Sequence, residues 1–264
     1  MKVLLIDSHN LFHRARWSFN TGQHTTSFNF FRMLRAEIEK HEAELVYIVD
    51  EGKPVLSLEL DENYKGTRKR IDDDNFSKEM SDSFSAIINY SGMTYIKHPQ
   101  RECDDVIAYL ARKKHFSDDV VVVSTDTDFI QLIDERVAIW NPQLKKFFER
   151  PDYDYVLWKA LKGDLSDNVR GVPGVGEKTA TKLVMSPAAL EDFFEKKPQC
   201  LASFELAKQL IAFKDLEESD CIIARSNLDE DLMREWFSNR NFKSIIGNAW
   251  PKWTKTLRRI SNHE

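Results

Sequence analysis

Cysteine is scarce in this chain of 264 residues, which contains three, at Cys103, Cys200 and Cys221. An odd number of scattered cysteines without a C-x-x-C pair is typical neither of a disulfide framework nor of a zinc site. Long apolar runs are also missing, since no stretch approaches the 18 residues of a membrane span. The opening apolar run is broken at Asp7 and is too short for a signal peptide. The sequence therefore predicts a protein of the reducing cytosol, with no export and no membrane span.

An overall basic excess is missing as well. The net charge is −5 and the pI is near 5.9, whereas nucleic-acid-binding domains usually carry a positive surplus that meets phosphate. The distribution of charge matters more than the sum. Without the nine carboxylates proposed below as metal ligands, the net charge of −5 becomes +4, so the remaining surface can still meet a polyanion.

Short apolar runs alternate with helical patterns in the first part of the chain. The runs of strand type are residues 2–6, 45–49, 93–96, 120–123 and 137–140, and the helical patterns are residues 28–39, 103–113 and 129–133. This alternation predicts an α/β fold with a mostly parallel central sheet and flanking helices. Strand-type runs disappear after residue 153. We expect an α/β core over residues 1–150, with an insertion at about 64–92, and a helical region over 151–264 that includes the C-terminal helices.

Acidic residues stand at the ends of these apolar runs. A single aspartate after a strand is more often a turn former or helix cap than a ligand, but five groups would gather at one edge of a parallel sheet. So many carboxylates would raise one another's pKa values unless cations were present. Oxygen ligands favour Mg²⁺ or Mn²⁺, and two such ions predict phosphodiester hydrolysis. The candidate metal ligands are Asp7, Asp50, Glu102, Asp104, Asp105, Asp126, Asp128, Asp164 and Asp167.

Residues 163–182, GDLSDNVRGVPGVGEKTATK, join an acidic pair to a glycine-rich turn and a basic helix start. The spacing of Gly171 and Gly176 nearly matches a nucleotide-binding P-loop, but Glu177 stands where that motif has lysine. A helix–hairpin–helix that holds a DNA backbone fits better, and an ordinary turn between helices is the alternative. The candidate DNA-binding residues here are Gly174, Gly176, Lys178, Thr179 and Lys182.

The insertion after residue 64 begins with four basic residues, Lys65, Arg68, Lys69 and Arg70. A charge run is often only a solvated surface, but this one follows the strand that ends at Asp50, which favours a substrate-facing element. Lys65 and Arg68 are the candidate catalytic residues, because a cation near the scissile phosphate offsets charge that develops in the transition state. Lys69 and Arg70 are further candidates for DNA binding.

Taken together, the chain resembles the structure-specific 5′-nuclease family: bacteriophage 5′-3′ exonucleases and flap endonucleases, and the 5′-nuclease domain of bacterial DNA polymerase I. The resemblance covers about residues 2–226 and rests on LLIDSHNLFHRA, VYIVDE, NYKGTR, ECDDVIAYLA, VVVSTDTDFIQL and GDLSDNVRGVPGVGEKTA, in the family's order. It implies a PIN-like fold with a helical arch, at whose base Lys65 and Arg68 would lie. Two departures, Ser57 in place of an arginine and Arg170 in place of a proline, affect substrate positioning only.

The resemblance also implies a division of the carboxylates. Asp7, Asp50, Glu102 and Asp104 would form a first metal site, with Asp105 shared through water. The second site would be formed by Asp126, Asp128, Asp164 and Asp167. The glycine hairpin would hold duplex DNA and, in some members, a K⁺ ion.

We therefore predict an active, monomeric, Mg²⁺-dependent 5′ nuclease, with Mn²⁺ able to substitute. It would act on DNA with a 5′ flap or 5′ end and on RNA/DNA hybrids, remove RNA primers, and leave 5′-phosphate and 3′-hydroxyl ends. A single-stranded-DNA-binding protein or a polymerase would be its partner, in a bacterial or phage-infected cytoplasm. A PIN-type ribonuclease and a non-catalytic junction-binding protein are the alternatives.

Overall fold

The computed structural model describes residues 1–18, 22–68 and 73–262. The chain forms two compact units. We call the first the sheet unit; it contains Met1–Gly52, Asp72–Phe148 and Leu216–Glu264. The second, the helical unit, contains Lys53–Ile71 and Glu149–Asp215.

The strands are β1 (Lys2–Asp7), β2 (Leu45–Asp50), β3 (Thr94–Lys97), β4 (Asp119–Val123), β5 (Val137–Asn141), β6 (Lys146–Phe147), β7 (Gly163–Asp164), β8 (Val169–Arg170) and β9 (Ile222–Arg225). The helices are α1 (Ser8–Arg16), α2 (Thr25–Lys40), α3 (Val55–Leu60), α4 (Asp74–Tyr90), α5 (Cys103–Tyr109), α6 (Tyr155–Lys162), α7 (Glu177–Val184), α8 (Pro187–Lys196), α9 (Leu201–Ile211), α10 (Glu230–Asn239), α11 (Lys243–Ile246) and α12 (Trp250–Ser261).

The sheet unit is built on a seven-stranded sheet with the spatial order β6-β5-β4-β1-β2-β3-β9. Strands β1 to β5 are parallel to one another, and β6 and β9 pair antiparallel with β5 and β3 at the two edges. Strand β2 is buried along its whole length and β1 along all but its first residue, as expected where helices cover both faces of a parallel sheet. The predicted mostly parallel α/β sheet is confirmed, and the carboxyl ends of its parallel strands lie at one edge.

Aromatic side chains fill the core between the sheet and its helices. Phe30 of α2 packs on Phe12 of α1, and Phe31 of α2 packs on Phe237 of α10. The ring centroids are 5.1 Å apart in both pairs. Trp253 of α12 is fully buried in the same cluster. Burial of large aromatic groups provides most of the stabilisation of such a core.

The C-terminal segment differs from the sequence prediction. Residues 216–264 were expected to continue the helical region, but they belong to the sheet unit. Strand β9, missed in the sequence, pairs with β3. The segment 250–261 is an amphipathic helix whose Trp253, Leu257 and Ile260 are buried, while Lys252 and Lys255 remain exposed. Its basic residues therefore mark the outer face of a packed helix.

The predicted insertion at 64–92 is divided between the units. Its first part belongs to the helical unit, and its second part is α4, whose Phe76, Phe84 and Ile87 are buried in the sheet unit's core. Residues 69–72, which join the two parts, lie outside the described residues. The helical arch therefore stays a prediction.

The helical unit packs α6, α7 and α9 around a separate apolar core that includes Trp158, Leu161, Ala180 and Phe204. The two-stranded hairpin β7-β8 connects α6 to the glycine-rich turn. Across the described ranges, the longest helices are too short or too polar to cross a bilayer.

Candidate metal centre and nucleic-acid interface

Carboxylates collect at the carboxyl edge of the sheet because successive parallel strands end there. Asp7 is the last residue of β1, and Asp50 is the last residue of β2. Ligand atoms of Asp7, Cys103 and Asp104 lie within 4.8 Å of one another. Two more predicted ligands of this unit, Glu102 and Asp105, are buried at the start of α5.

Asp7 is a helix cap as well as a candidate ligand. Its Oδ1 accepts the backbone N–H of Asn10 at 3.1 Å, and its Oδ2 accepts the hydroxyl of Ser124 at 2.7 Å. Only 5 % of Asp7 is exposed, and this burial, which outweighs the two hydrogen bonds, raises its pKa to about 6. Charge from Glu51 and Asp126 is a smaller part of the same upward shift. Such a carboxylate gains from a bound cation, because a cation stabilises its charged form.

Asp50 is in the opposite electrostatic state. Its Oδ1 accepts His9 Nε2 at 2.8 Å, and its Oδ2 accepts the Tyr95 hydroxyl at 2.6 Å and Lys97 Nζ at 2.9 Å. Burial alone would raise the pKa of Asp50, but the hydrogen bonds from His9, Tyr95 and Lys97 hold it well below its usual range. The expectation that the carboxylates raise one another's pKa values is therefore wrong at Asp50, because the protein supplies its own cations.

Asp126 follows β4 and is itself extended, but the chain enters a 3-10 helix at the next residue, so Asp128 is not in extended chain. The sequence predicted that an extended backbone would point both side chains to one face. Instead Asp126 caps a 3-10 helix (Thr127–Leu132), and its Oδ1 accepts the backbone N–H of Asp128 at 2.9 Å. Asp126 is thus a helix cap, as Asp7 is, and the ligand role of both residues stays a prediction.

Asp164 and Asp167 lie in the helical unit, on the β7-β8 hairpin. Asp164 Oδ2 lies 2.6 Å from Lys159 Nζ, and its Oδ1 accepts the backbone N–H of Ser166 at 2.8 Å. Burial would raise the pKa of Asp164, but the Lys159 and Ser166 hydrogen bonds lower it to about 2. Here too, mutual elevation of the pKa values is a wrong expectation.

Both candidate catalytic residues, Lys65 and Arg68, form ion pairs with Asp167. Lys65 Nζ is 3.5 Å from Asp167 Oδ2, and the Arg68 guanidinium donates to Asp167 Oδ1. The Tyr64 hydroxyl also donates to this carboxylate, at 3.3 Å. The structure therefore places the basic pair of the NYKGTR motif beside one predicted metal ligand within the helical unit.

The glycine-rich turn has the local form that a backbone-binding hairpin needs. Gly174 has a φ of +77°, a conformation that favours glycine, and a Cβ at Gly174 or Gly176 would meet open space. Val172 and Val175 are buried beneath the turn. The predicted DNA-binding residues Lys178, Thr179 and Lys182 are exposed on α7, directly after it. Lys69 and Arg70, the other two predicted DNA-binding residues, lie outside the described residues.

Sequence reasoning missed several residues of this edge. One of them is Cys103, whose Sγ lies 3.3 Å from Asp104 Oδ1. Its position inside the ECDD motif was a signal that could have identified it. Glu51 follows Asp50 and accepts the backbone N–H of Cys103 at 3.3 Å. Lys97 could not be found from spacing, because the register of β2 with β3 brings it to Asp50. His9 reaches Asp50 from helix α1, which no spacing in the sequence indicates.

Two family models match the chain. Residues 2–159 match the family described as 5′-3′ exonuclease, N-terminal resolvase-like domain, and residues 151–227 match that described as 5′-3′ exonuclease, C-terminal SAM fold. The chain belongs to the 5′-3′ exonuclease family. This membership confirms the predicted fold class and the predicted relationship to 5′-3′ exonucleases.

Relatives of this 5′-3′ exonuclease chain include DNA polymerase I of Lactococcus lactis, which is 33% identical over 242 residues, 81% of this chain and 27% of the relative. The thermostable DNA polymerase I of Thermus thermophilus is 30% identical over 75% of this chain and 25% of the relative. The chain thus spans about a quarter of the length of these polymerases.

Solved structures show the same fold. A bacteriophage T5 D15 flap endonuclease in complex with DNA and metal ions has a TM-score of 0.67 and 22% identity, and the match covers all of both chains. T5 D15 protein crystallised with metal ions has a TM-score of 0.68 and 21% identity over 99% of each chain.

Proposed function

We propose that this chain is a divalent-metal-dependent, structure-specific 5′ nuclease that hydrolyses phosphodiesters with two metal ions. The observation that carries the proposal is the gathering of buried oxygen ligands at the carboxyl edge of the sheet, with Asp7 held at a raised pKa of about 6. Oxygen-rich sites suit Mg²⁺, and Mn²⁺ takes similar ligands. The metal ions bound in the T5 D15 structure support the same assignment.

The donor set fits hard cations. Asp7, Asp50, Glu102 and Asp104 would hold the first ion, with Asp105 acting through water, and we propose Asp126, Asp128, Asp164 and Asp167 for the second. Bound Mg²⁺ would activate water and stabilise charge on the attacking and leaving oxygens.

Lys65 and Arg68 would bind the phosphate next to the scissile bond, where their charge offsets the charge that develops during hydrolysis. Both now pair with Asp167, so a cation bound to Asp167 would release them toward phosphate. Products would carry 5′-phosphate and 3′-hydroxyl ends.

The hairpin around Gly174 and Gly176 would hold the backbone of duplex DNA. Its exposed backbone and the lysines of α7 contact phosphate without reading bases. A K⁺ ion at this hairpin is part of the proposal. The substrates would be 5′ flaps, 5′ ends and RNA/DNA hybrids, and RNA primers would be removed during replication. A monomer acting beside a polymerase or a single-stranded-DNA-binding protein fits the polymerase I relatives.

The deciding experiment is cleavage of a labelled 5′-flap DNA with and without Mg²⁺, beside matched 3′-flap DNA and single-stranded RNA. Metal-dependent cutting near the 5′-flap junction is the expected result. Tight flap binding without cutting would instead indicate a junction-binding protein, and cutting of single-stranded RNA alone would indicate a PIN-type ribonuclease. The Asp126→Asn variant is the control for contaminating nuclease, since it keeps the cap but removes a charge.

A further inference from the structure

A groove of about 490 Å³ runs between α4 and the carboxyl ends of β2 and β3 in the sheet unit. Its floor carries Asp50, His9 and Lys97, and its wall carries Ser81 and Ser85 of α4. This floor joins a predicted metal ligand to two nitrogen groups that the family motifs did not assign. The groove is open to solvent and large enough for a nucleotide.

The wall of the groove has a regular pattern. Ser77, Ser81, Ser85 and Asn89 follow one another at four-residue spacing and are exposed, so they lie on one face of α4. The helix buries Phe76 and Phe84 toward the core. A face of short hydroxyl and amide side chains offers hydrogen bonds and leaves room for a chain to lie against it.

The oxygens of Asp50 are fully used in the metal-free protein. Oδ1 accepts His9 and the backbone N–H of Glu51 at 2.8 Å each, and Oδ2 accepts Tyr95 and Lys97. A carboxylate offers about four acceptor positions. A metal ion can therefore bind Asp50 only if one of these four donors leaves.

Lys97 is the donor best able to leave. The Glu51 N–H is fixed by the backbone, and Tyr95 is buried. The His9 ring packs between His13 and Phe84, with centroid distances of 6.4 and 6.3 Å. The Lys97 side chain is 31% exposed at the groove, and a lysine ammonium on its flexible stem is a mobile point charge.

We propose that this groove binds a phosphodiester of single-stranded nucleic acid, and that Lys97 moves from Asp50 to that phosphate when Asp50 takes a divalent cation. The proposal rests on the metal-binding role of Asp50 proposed above. Replacing the Lys97 ammonium by a divalent ion leaves the floor with one lysine charge unpaired. A phosphate in the groove restores that pairing, and the α4 hydroxyls complete its hydrogen bonds.

The test uses two measurements on wild type, Lys97→Met and a matched surface control, Lys252→Met. The first is Mn²⁺ affinity by electron paramagnetic resonance without nucleic acid. The second is the affinity of a fluorescent, 5′-phosphorylated oligo-dT by anisotropy, in Ca²⁺ and in EDTA. Ca²⁺ also takes carboxylate oxygens.

We expect Lys97→Met to bind Mn²⁺ more tightly, because the competing ammonium is gone. In Ca²⁺ its oligo-dT affinity should fall by about tenfold, the size of one charge-assisted contact of roughly 1.4 kcal/mol. In EDTA its affinity should match wild type. Lys252→Met should change neither measurement.

Unchanged oligo-dT affinity of Lys97→Met in Ca²⁺ would overturn the proposal, whatever happens to Mn²⁺, since Lys97 would then only neutralise Asp50. A wild type that binds no Mn²⁺ would overturn it together with the proposed metal site. Mn²⁺ binding combined with unchanged oligo-dT affinity would leave the nuclease proposal standing. The extra variant Ser85→Glu, which adds charge to the groove wall without touching Asp50, should weaken oligo-dT binding and leave Mn²⁺ affinity near wild type.

Discussion

Asp7→Asn should stabilise the metal-free protein at neutral pH. Burial raises the pKa of Asp7 from its ordinary 3.8 to about 6, so ionising it in the folded state costs free energy. A shift of about 2 pKa units corresponds to roughly 3 kcal/mol at 1.36 kcal/mol per unit. Asparagine keeps the acceptor for the Asn10 N–H and is an equally good helix cap. The substitution thus removes the charge and preserves the cap.

The sign of the pH dependence follows from the raised pKa. The folded state binds the Asp7 proton more tightly than the unfolded state does. The stabilisation that this proton gives to wild type is therefore complete below pH 3.8 and is lost as the pH rises through about 6. The unfolding free energy of Asp7→Asn minus that of wild type should therefore increase by about 2.5 kcal/mol from pH 4 to pH 7.5. Taking the difference cancels the titration of groups such as Asp50 and Asp164.

Urea unfolding in EDTA, followed by tryptophan fluorescence, measures this difference. Trp253 and Trp236 report on the sheet unit, where Asp7 lies. Adding Mg²⁺ should stabilise wild type above pH 6 and have little effect on the variant, because ligand binding to the folded state raises its stability. If the stability difference between Asp7→Asn and wild type is the same at pH 4 and at pH 7.5, the reasoning is refuted.

Three further predictions concern other parts of the chain. Asp126→Ala should abolish flap cleavage and cost about 1 kcal/mol of stability, because the helix cap is lost. Asp126→Asn should abolish cleavage too, with nearly unchanged urea unfolding. Turnover by either variant would contradict the assignment of Asp126 as a metal ligand. Gly176→Ala should leave the melting temperature unchanged, because its Cβ meets open space, and weaken duplex binding in an anisotropy titration; full affinity would exclude this surface. Gly171→Ala should lower the melting temperature of the helical unit, since its Cβ would come within 2.4 Å of the Gly163 backbone nitrogen; an unchanged melt would contradict that packing.

The sheet could be predicted because its signal is local. Buried parallel strands are continuous apolar runs, and each such run in the first half of the sequence became a strand. Strands β1 and β2 end on the expected aspartates, Asp7 and Asp50. Strand β9 was not predictable in this way. Ile222 and Ile223 form only a short apolar pair at the sheet edge and remain partly exposed, so pairing with β3 decides their conformation rather than their own pattern.

The chemistry of the site was predictable only in part. Motif spacing identified the carboxylates, but the hydrogen-bond partners that set their pKa values come from distant positions. Lys97 reaches Asp50 through the register of β2 with β3, and Arg68 reaches Asp167 across 99 residues of sequence. Tertiary contacts of this kind leave no periodic trace in a single sequence.

These partners explain how each unit accommodates its buried carboxylates before any metal binds. Asp50 is paired with Lys97, Asp164 with Lys159, and Asp167 with Lys65 and Arg68. Removing such carboxylates from water without partners would cost several kcal/mol each, so the basic residues act as internal counterions.

Asp7 differs, because its hydrogen bonds from the Asn10 backbone N–H and the Ser124 hydroxyl come from neutral groups. Burial therefore outweighs them and raises the pKa of Asp7. Metal binding at the proposed ligands would therefore have two distinct consequences. At Asp7 it would relieve a cost of burial, which would strengthen binding of the ion. At the paired carboxylates it would displace lysine and arginine groups, which would weaken binding of the ion but free cations for phosphate. In such a protein metal and nucleic acid should bind cooperatively, since each frees groups that the other uses. Equal Mn²⁺ affinities with and without a non-cleavable flap DNA would contradict this coupling.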